Sequence, residues 1–132
     1  MSSELKYTLV DDDYLCNTIS TMMLEDTFGY AEIKAFTKAE NALEYIEREY
    51  SKMMAPTILF LDINMPTMDD WQFLEQYGKF SEAIKKQIKI YILSSSIARK
   101  DRNKAELDKN VVGFLSKPLD NEVLTSISGK EF

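Results

Sequence analysis

Five apolar clusters of strand length, at residues 5–10, 32–36, 57–61, 88–93 and 111–115, alternate with longer stretches whose apolar residues repeat at helical spacing. This alternation constrains the fold more than any other feature, because strands separated by helices pair in parallel through helical crossovers. The run Ile58-Leu59-Phe60-Leu61 is apolar at consecutive positions, as a parallel strand covered on both faces requires. One α/β domain follows. A chain of 132 residues holds one such core and leaves no room for a second.

Helical periodicity assigns an inward stripe to each intervening segment. The first helix is expected to bury Leu15, Ile19, Met22 and Met23, and the second Ala39, Leu43, Ile46 and Tyr50. Trp71, Leu74 and Tyr77 mark the third, and Val123, Leu124 and Ile127 mark a short fifth. Residues 98–109 carry only a thin apolar stripe among charges, so the fourth helix is expected to be the most solvated. No repeat, low-complexity tract or linker interrupts the pattern, and a single domain over residues 1–132 without an output domain is expected.

Composition removes several function classes. The chain has no histidine and one cysteine, which excludes Ser-His-Asp and Cys-His catalysis and most zinc sites. It also cannot carry a phosphohistidine. Cys16 has no partner for an internal disulfide, which fits a reducing, cytoplasmic setting and a role as small core filler. The start, Met1-Ser2-Ser3-Glu4, lacks the basic and apolar regions of a signal peptide, and no apolar run is long enough to cross a membrane. With 22 acidic against 16 basic residues, the net charge of -6 disfavours binding to nucleic-acid backbones.

In an open parallel sheet the loops after the strands form the binding crevice. Here they read Asp11-Asp12-Asp13 after the first strand and Asp62-Ile63-Asn64-Met65-Pro66 after the third. Ser94-Ser95-Ser96 follows the fourth, and Lys117-Pro118 the fifth. Carboxylates gathered at adjacent strand ends repel one another unless a cation intervenes, and oxygen-only ligands select magnesium-like ions. A lysine and a serine hydroxyl facing the same crevice complement an anionic group such as phosphoryl. Taken singly each element is ordinary: Asp13 reads as a helix N-cap, the serines as a polar loop and Lys117 as a solvated charge. Their convergence on one edge of the sheet is what points to phosphoryl chemistry.

The residues Val10-Asp11-Asp12, Leu61-Asp62-Ile63-Asn64-Met65-Pro66, Ile92-Leu93-Ser94 and Phe114-Leu115-Ser116-Lys117-Pro118 resemble, over nearly the whole chain, the response-regulator receiver domain of two-component signalling. The resemblance implies a flavodoxin-like, doubly wound (βα)5 sandwich with a parallel sheet of order 2-1-3-4-5. It makes Asp62 the phosphoacceptor, Asp12 a direct magnesium ligand, Asp11 an indirect one through water and Asn64 a ligand through its backbone carbonyl. Manganese is expected to substitute for magnesium. Ser94 and Lys117 would bind the phosphoryl group, and Ser94 and Phe114 would form the switch.

The same resemblance implies a histidine kinase or phosphotransfer protein as donor, and slow loss of the phosphoryl group by hydrolysis. A downstream protein would bind the face made by the fourth helix, fifth strand and fifth helix. The chain would act as a monomer or a phosphorylation-dependent dimer. Three positions depart from the family pattern: Ser94 stands for threonine, Phe114 for tyrosine or histidine, and Asp70 for glycine.

Two rivals remain. A haloacid-dehalogenase-type phosphohydrolase would use Asp11 as nucleophile and Asp13 as acid/base, but it leaves Asp62-x-x-Met65-Pro66 unexplained. A binding-only pseudo-receiver has no need of the complete set Asp12, Asp62, Ser94 and Lys117.

Overall fold

In the strand Thr57–Asp62 all six residues are buried, so it must lie at the centre of a sheet with both faces covered. A computed structural model of the chain, describing residues 5–29, 32–52, 56–62, 70–94, 108–117 and 119–127, places it there. The side chains of residues 70, 71, 94 and 116 lie outside this description. The strands are β1 (Lys6–Val10), β2 (Glu32–Phe36), β3 (Thr57–Asp62), β4 (Ile88–Ser94) and β5 (Val111–Ser116). All pair in parallel, in the order β2-β1-β3-β4-β5. This is the flavodoxin-like order that the resemblance implies.

Alternation along each strand divides the core into two layers. Leu59 and Leu61 of β3 join Val10, Ile90 and Ile92 beneath α2 (Ala39–Glu49) and α3 (Asp70–Gly78), which contribute Ala42, Leu43, Ile46, Phe73, Leu74 and Tyr77. Ile58 and Phe60 join Tyr7, Leu9, Tyr91 and Leu93 on the other face. There Leu24 comes from α1 (Tyr14–Phe28), and Leu124 and Ile127 come from the last helix, Asn121–Ile127. Helices therefore cover both faces. None among the described residues is long and apolar enough to cross a membrane.

The second-helix stripe is buried as its periodicity requires: Ala39, Leu43, Ile46 and the capping Tyr50 all pack inward. Leu74 and Tyr77 are buried likewise, with Phe73 added to them, and Val123 is partly buried beside Leu124. The side chain of Trp71 is outside the description.

The first helix corrects the sequence reading. Leu15, Ile19 and Met22 are 63%, 44% and 61% exposed, and the residues it buries are Asn17 and Leu24, with Met23 and Phe28 packed partly against the core. The physical reason lies at its N-terminal end. The position facing β1 and β2 must satisfy backbone carbonyls rather than fill apolar space, and the Asn17 amide does so. Gly29 ends α1 at φ +79°, a left-handed conformation that favours glycine, and its N–H donates to the Glu25 carbonyl.

Two further differences concern helices. A short helix absent from the sequence reading, α4 (Glu82–Lys85), forms before β4, with the Ser81 hydroxyl accepting from the Ile84 N–H. The final helix is then α5 (Asn121–Ile127). Of the charged segment expected to be helical, residues 98–107 lie outside the described residues, whereas residues 108–110 lead into β5 without helix. The Asp108 carboxylate accepts the Asn110 N–H at 2.9 Å, a local bond that competes with helix continuation.

Candidate functional site

Strand register builds the site. Phe36, Val10, Leu61, Ile92 and Phe114 form one row across the sheet. One position further along the chain stand Asp11, just past β1, and Asp62, the last residue of β3. Alternation sends Asp62 to the same side as Ile58 and Phe60, the face covered by α1 and α5. Lys117 follows β5 by one residue and has the parity of Leu115, which packs in that same layer. Three separated strand ends thus deliver their polar side chains to one point.

There the Lys117 Nζ donates to Asp11 Oδ2 at 2.7 Å and to Asp62 Oδ1 at 2.9 Å. Asp11 Oδ1 also accepts the Asp13 N–H at 2.9 Å. Asp11 and Asp62 are nearly inaccessible, whereas Asp12 is exposed. One carboxylate oxygen from each of Asp11, Asp12 and Asp62 falls within 4.8 Å of the other two. Among the described residues three negative groups thus face one lysine, which leaves an excess of negative charge.

Electrostatics follow from that imbalance. Burial raises the proton affinity of the Asp62 carboxyl; the Lys117 hydrogen bond opposes the rise, and the charges of Asp11 and Asp12 add to it. Burial works against the Lys117 charge, but its hydrogen bonds to Asp11 and Asp62 outweigh this and hold the ammonium firmly protonated. The donor set fits a hard divalent cation: it is all oxygen, negatively charged and open to water through Asp12. Such an ion would relieve the repulsion that the lysine only partly offsets.

Asp11, Asp12, Asp62 and Lys117 come together. Ser94 is the last residue of β4, opposite Ser116 of β5, and its side chain lies outside the description. Phe114 is partly buried against the core beneath α2 and α3. Asn64 lies outside the described residues, and Asp70 is known only as the start of α3.

Asp13 is not in the cluster. Its carboxylate accepts the Leu15 N–H at 2.9 Å and the Cys16 N–H at 3.4 Å as the cap of α1, and hydrogen bonds, first from the Cys16 side chain, hold its proton affinity below the ordinary value. The hydrolase reading would need this capping carboxylate as its acid/base.

Sequence reasoning passed over Asn17, which lies beneath the acidic loop. It also placed the exposed apolar residues of α1 in the core. The apolar stripe hid the first: Asn17 stands two positions from both Leu15 and Ile19, off the face they form and beside the polar Thr18, Ser20 and Thr21. The groove between α1 and β2, about 450 Å³ and lined by Tyr14, Asn17, Thr18, Thr21, Met22, Ala35 and Thr37, contains none of the clustered carboxylates.

Comparison with known proteins agrees with this fold. A response regulator from Cytophaga hutchinsonii superposes with a TM-score of 0.87 at 28% identity, covering 98% of this chain and 97% of that one. A protein-glutamate methylesterase/protein-glutamine glutaminase of Treponema denticola is 30% identical over 95% of this chain, which spans only 32% of that protein's length. An uncharacterised 14.6 kDa protein of Leptolyngbya boryana is 29% identical over 89% of this chain and 82% of its own length. The family model for the response regulator receiver domain matches residues 8–128, and with it the chain belongs to the receiver domains of two-component signalling.

Proposed function

We propose that the protein accepts a phosphoryl group on Asp62 from a histidine kinase or a histidine phosphotransfer protein. The observation that carries this reading is Lys117 bridging Asp11 and Asp62 in a cluster with Asp12. An Asp62 carboxylate oxygen forms the bond to phosphorus as the N–P bond of the donor's phosphohistidine breaks, and the electron pair leaves with the imidazole. No protein base is required, because the attacking carboxylate carries no proton to remove. Lys117 is placed to neutralise charge on the transferred oxygens.

Asp12 and Asp62, with the Asn64 carbonyl, would hold magnesium directly. Asp11 would act through water, a role supported by hydrogen bonds at both of its carboxylate oxygens. When bound, the ion supplies charge neutralisation at the acceptor and the phosphoryl oxygens. The missing histidine of this chain is then the donor's.

An aspartate at the carboxyl end of the central strand, beside the exposed Asp12, suits a group presented by another protein. Tyr14, Leu15, Ile19 and Met22 expose apolar surface on the adjoining helix, which fits a protein donor. Ser94 and Phe114 would report the new charge to a downstream protein through the face of β5 and its flanking helices.

The test is incubation with acetyl phosphate or beryllofluoride, with and without magnesium. The wild-type protein gains one phosphoryl group, or its mimic, only with the metal, and Asp62→Asn gains none. Persistence of the signal in Asp62→Asn with its loss in Asp11→Asn would assign the chemistry to Asp11 instead.

A further inference from the structure

Asn17 is 4% exposed, in the first turns of a helix whose Leu15 and Ile19 face solvent. Its Nδ2 donates to the Asp11 carbonyl at 3.0 Å and to the Phe36 carbonyl at 3.3 Å. The Asp11 N–H itself donates to that Phe36 carbonyl at 3.0 Å. The amide therefore extends the β1–β2 ladder beyond its last strand pair, Val10 and Phe36, where the chain has already turned toward α1.

Because both contacts are acceptors, the amide can lie only one way round: turning it over would set its oxygen against two carbonyl oxygens. The consequence is that Asn17 Oδ1 is buried without a partner among the described residues. An unmet buried acceptor costs stability. The amide bears that cost at its oxygen while its nitrogen holds the Asp11 and Phe36 carbonyls.

What the amide secures is the backbone between Asp11 and Asp12. No described residue hydrogen-bonds the Asp12 side chain, so its position relative to Asp62 depends on the direction in which the chain leaves Asp11. Asp11 has side-chain restraints of its own, from Lys117 and the Asp13 N–H. Among the described residues, Asp12 has only the backbone.

We infer that Asn17 is a positioning residue for the acceptor site: by pinning the Asp11 carbonyl it aims the Asp12 carboxylate at the point shared with Asp62. The inference rests on the metal-binding reading above. It differs from a packing role because its effect falls on metal affinity and on the amides of one loop. Supporting residues of this kind commonly change metal affinity by about 10- to 100-fold when removed.

The test compares the full-length wild type with Asn17→Leu, which replaces the amide by an apolar group of similar size, and Asn17→Gln, which keeps the donor on a longer arm. Magnesium alone is titrated well below the melting temperature and followed by calorimetry. Asn17→Leu is expected to weaken binding about tenfold or more, with Asn17→Gln recovering part of the loss. Wild-type affinity in Asn17→Leu would overturn the inference. If Asn17→Leu does not fold, Asn17→Ala takes its place with the same expectation.

A second measurement separates this inference from the reading beneath it. Without metal, amide exchange at Asp11 and Asp13 should quicken in Asn17→Leu while exchange at Leu59, in the central strand, stays as in wild type. Unchanged exchange at Asp11 and Asp13 would sink the positioning role even if metal binds. If the wild type itself binds no magnesium, the metal reading fails, and the exchange result still decides whether Asn17 orders the loop.

Discussion

Lys117 and Asp62 stand 55 positions apart in the chain and meet through a 2.9 Å hydrogen bond at the carboxyl edge of the sheet. The lysine is shared with Asp11, at 2.7 Å, so neither carboxylate has a cation to itself. The site is held together by one positive charge that is insufficient for its neighbours, and its behaviour should follow from that shortage.

Asp62→Asn should therefore stabilise the metal-free protein. Burial and the neighbouring charges raise the proton affinity of Asp62, so its ionisation opposes folding near neutral pH, and an uncharged amide of the same shape removes the opposition. The gain is read as a higher denaturant midpoint in chelator with an unchanged slope. A lower midpoint would mean that the Lys117–Asp62 pair contributes more than the charge costs.

Magnesium should reverse that order. A ligand that binds only the folded state stabilises it by about 2.7 kcal/mol at 100 times its dissociation constant. The melting temperature of the wild type is expected to rise with magnesium concentration, and that of Asp62→Asn much less. Calorimetric scans across a magnesium series measure this, and equal shifts in both would remove Asp62 from the metal site.

The exposed face of α1 should be separable from the core. Leu15→Asp and Ile19→Asp are expected to change stability by less than about 0.5 kcal/mol, whereas Leu24→Ala, at a position with 0% exposure, should cost about 3 kcal/mol. If that face receives the donor protein, Leu15→Asp and Ile19→Asp should slow phosphotransfer from a phosphorylated protein donor and leave the acetyl phosphate rate unchanged. Rapid-quench measurement with each donor distinguishes the two effects.

Alkaline pH should weaken the layer beneath α2. Burial pushes the Tyr45 phenol up to about 12, with its ring 5.3 Å from Phe36 and 6.1 Å from Tyr50. A proton affinity raised in the folded state contributes stability that is complete below the unfolded value of 10.0 and is lost as pH rises through about 12. Denaturant midpoints should fall across that window together with a rise in phenolate absorbance. Tyr45→Phe should flatten part of the fall, with Tyr50 and Tyr77, also raised by burial, accounting for the remainder.

The sequence by itself determined the sheet and the identity of the charged cluster. Consecutive burial in β3 and the alternation of five strands with helical stretches are local properties of side-chain order, and apolar patterning specifies them before any tertiary contact forms. The carboxylates Asp11, Asp12 and Asp62 and the lysine were legible because residues after parallel strands gather at one edge whatever the loops do.

Tertiary structure decided which face of α1 is buried. Counting apolar residues selects Leu15, Ile19 and Met22, but the helix packs on Asn17 and Leu24 instead. The deciding demand, a donor for the Asp11 carbonyl beside a Phe36 carbonyl that already accepts the Asp11 N–H, belongs to no single segment and exists only once both strands are paired. The balance of charge at Asp62 was settled at the same level. Proximity of one lysine to two carboxylates is set by register across four strands, and no local pattern contains it.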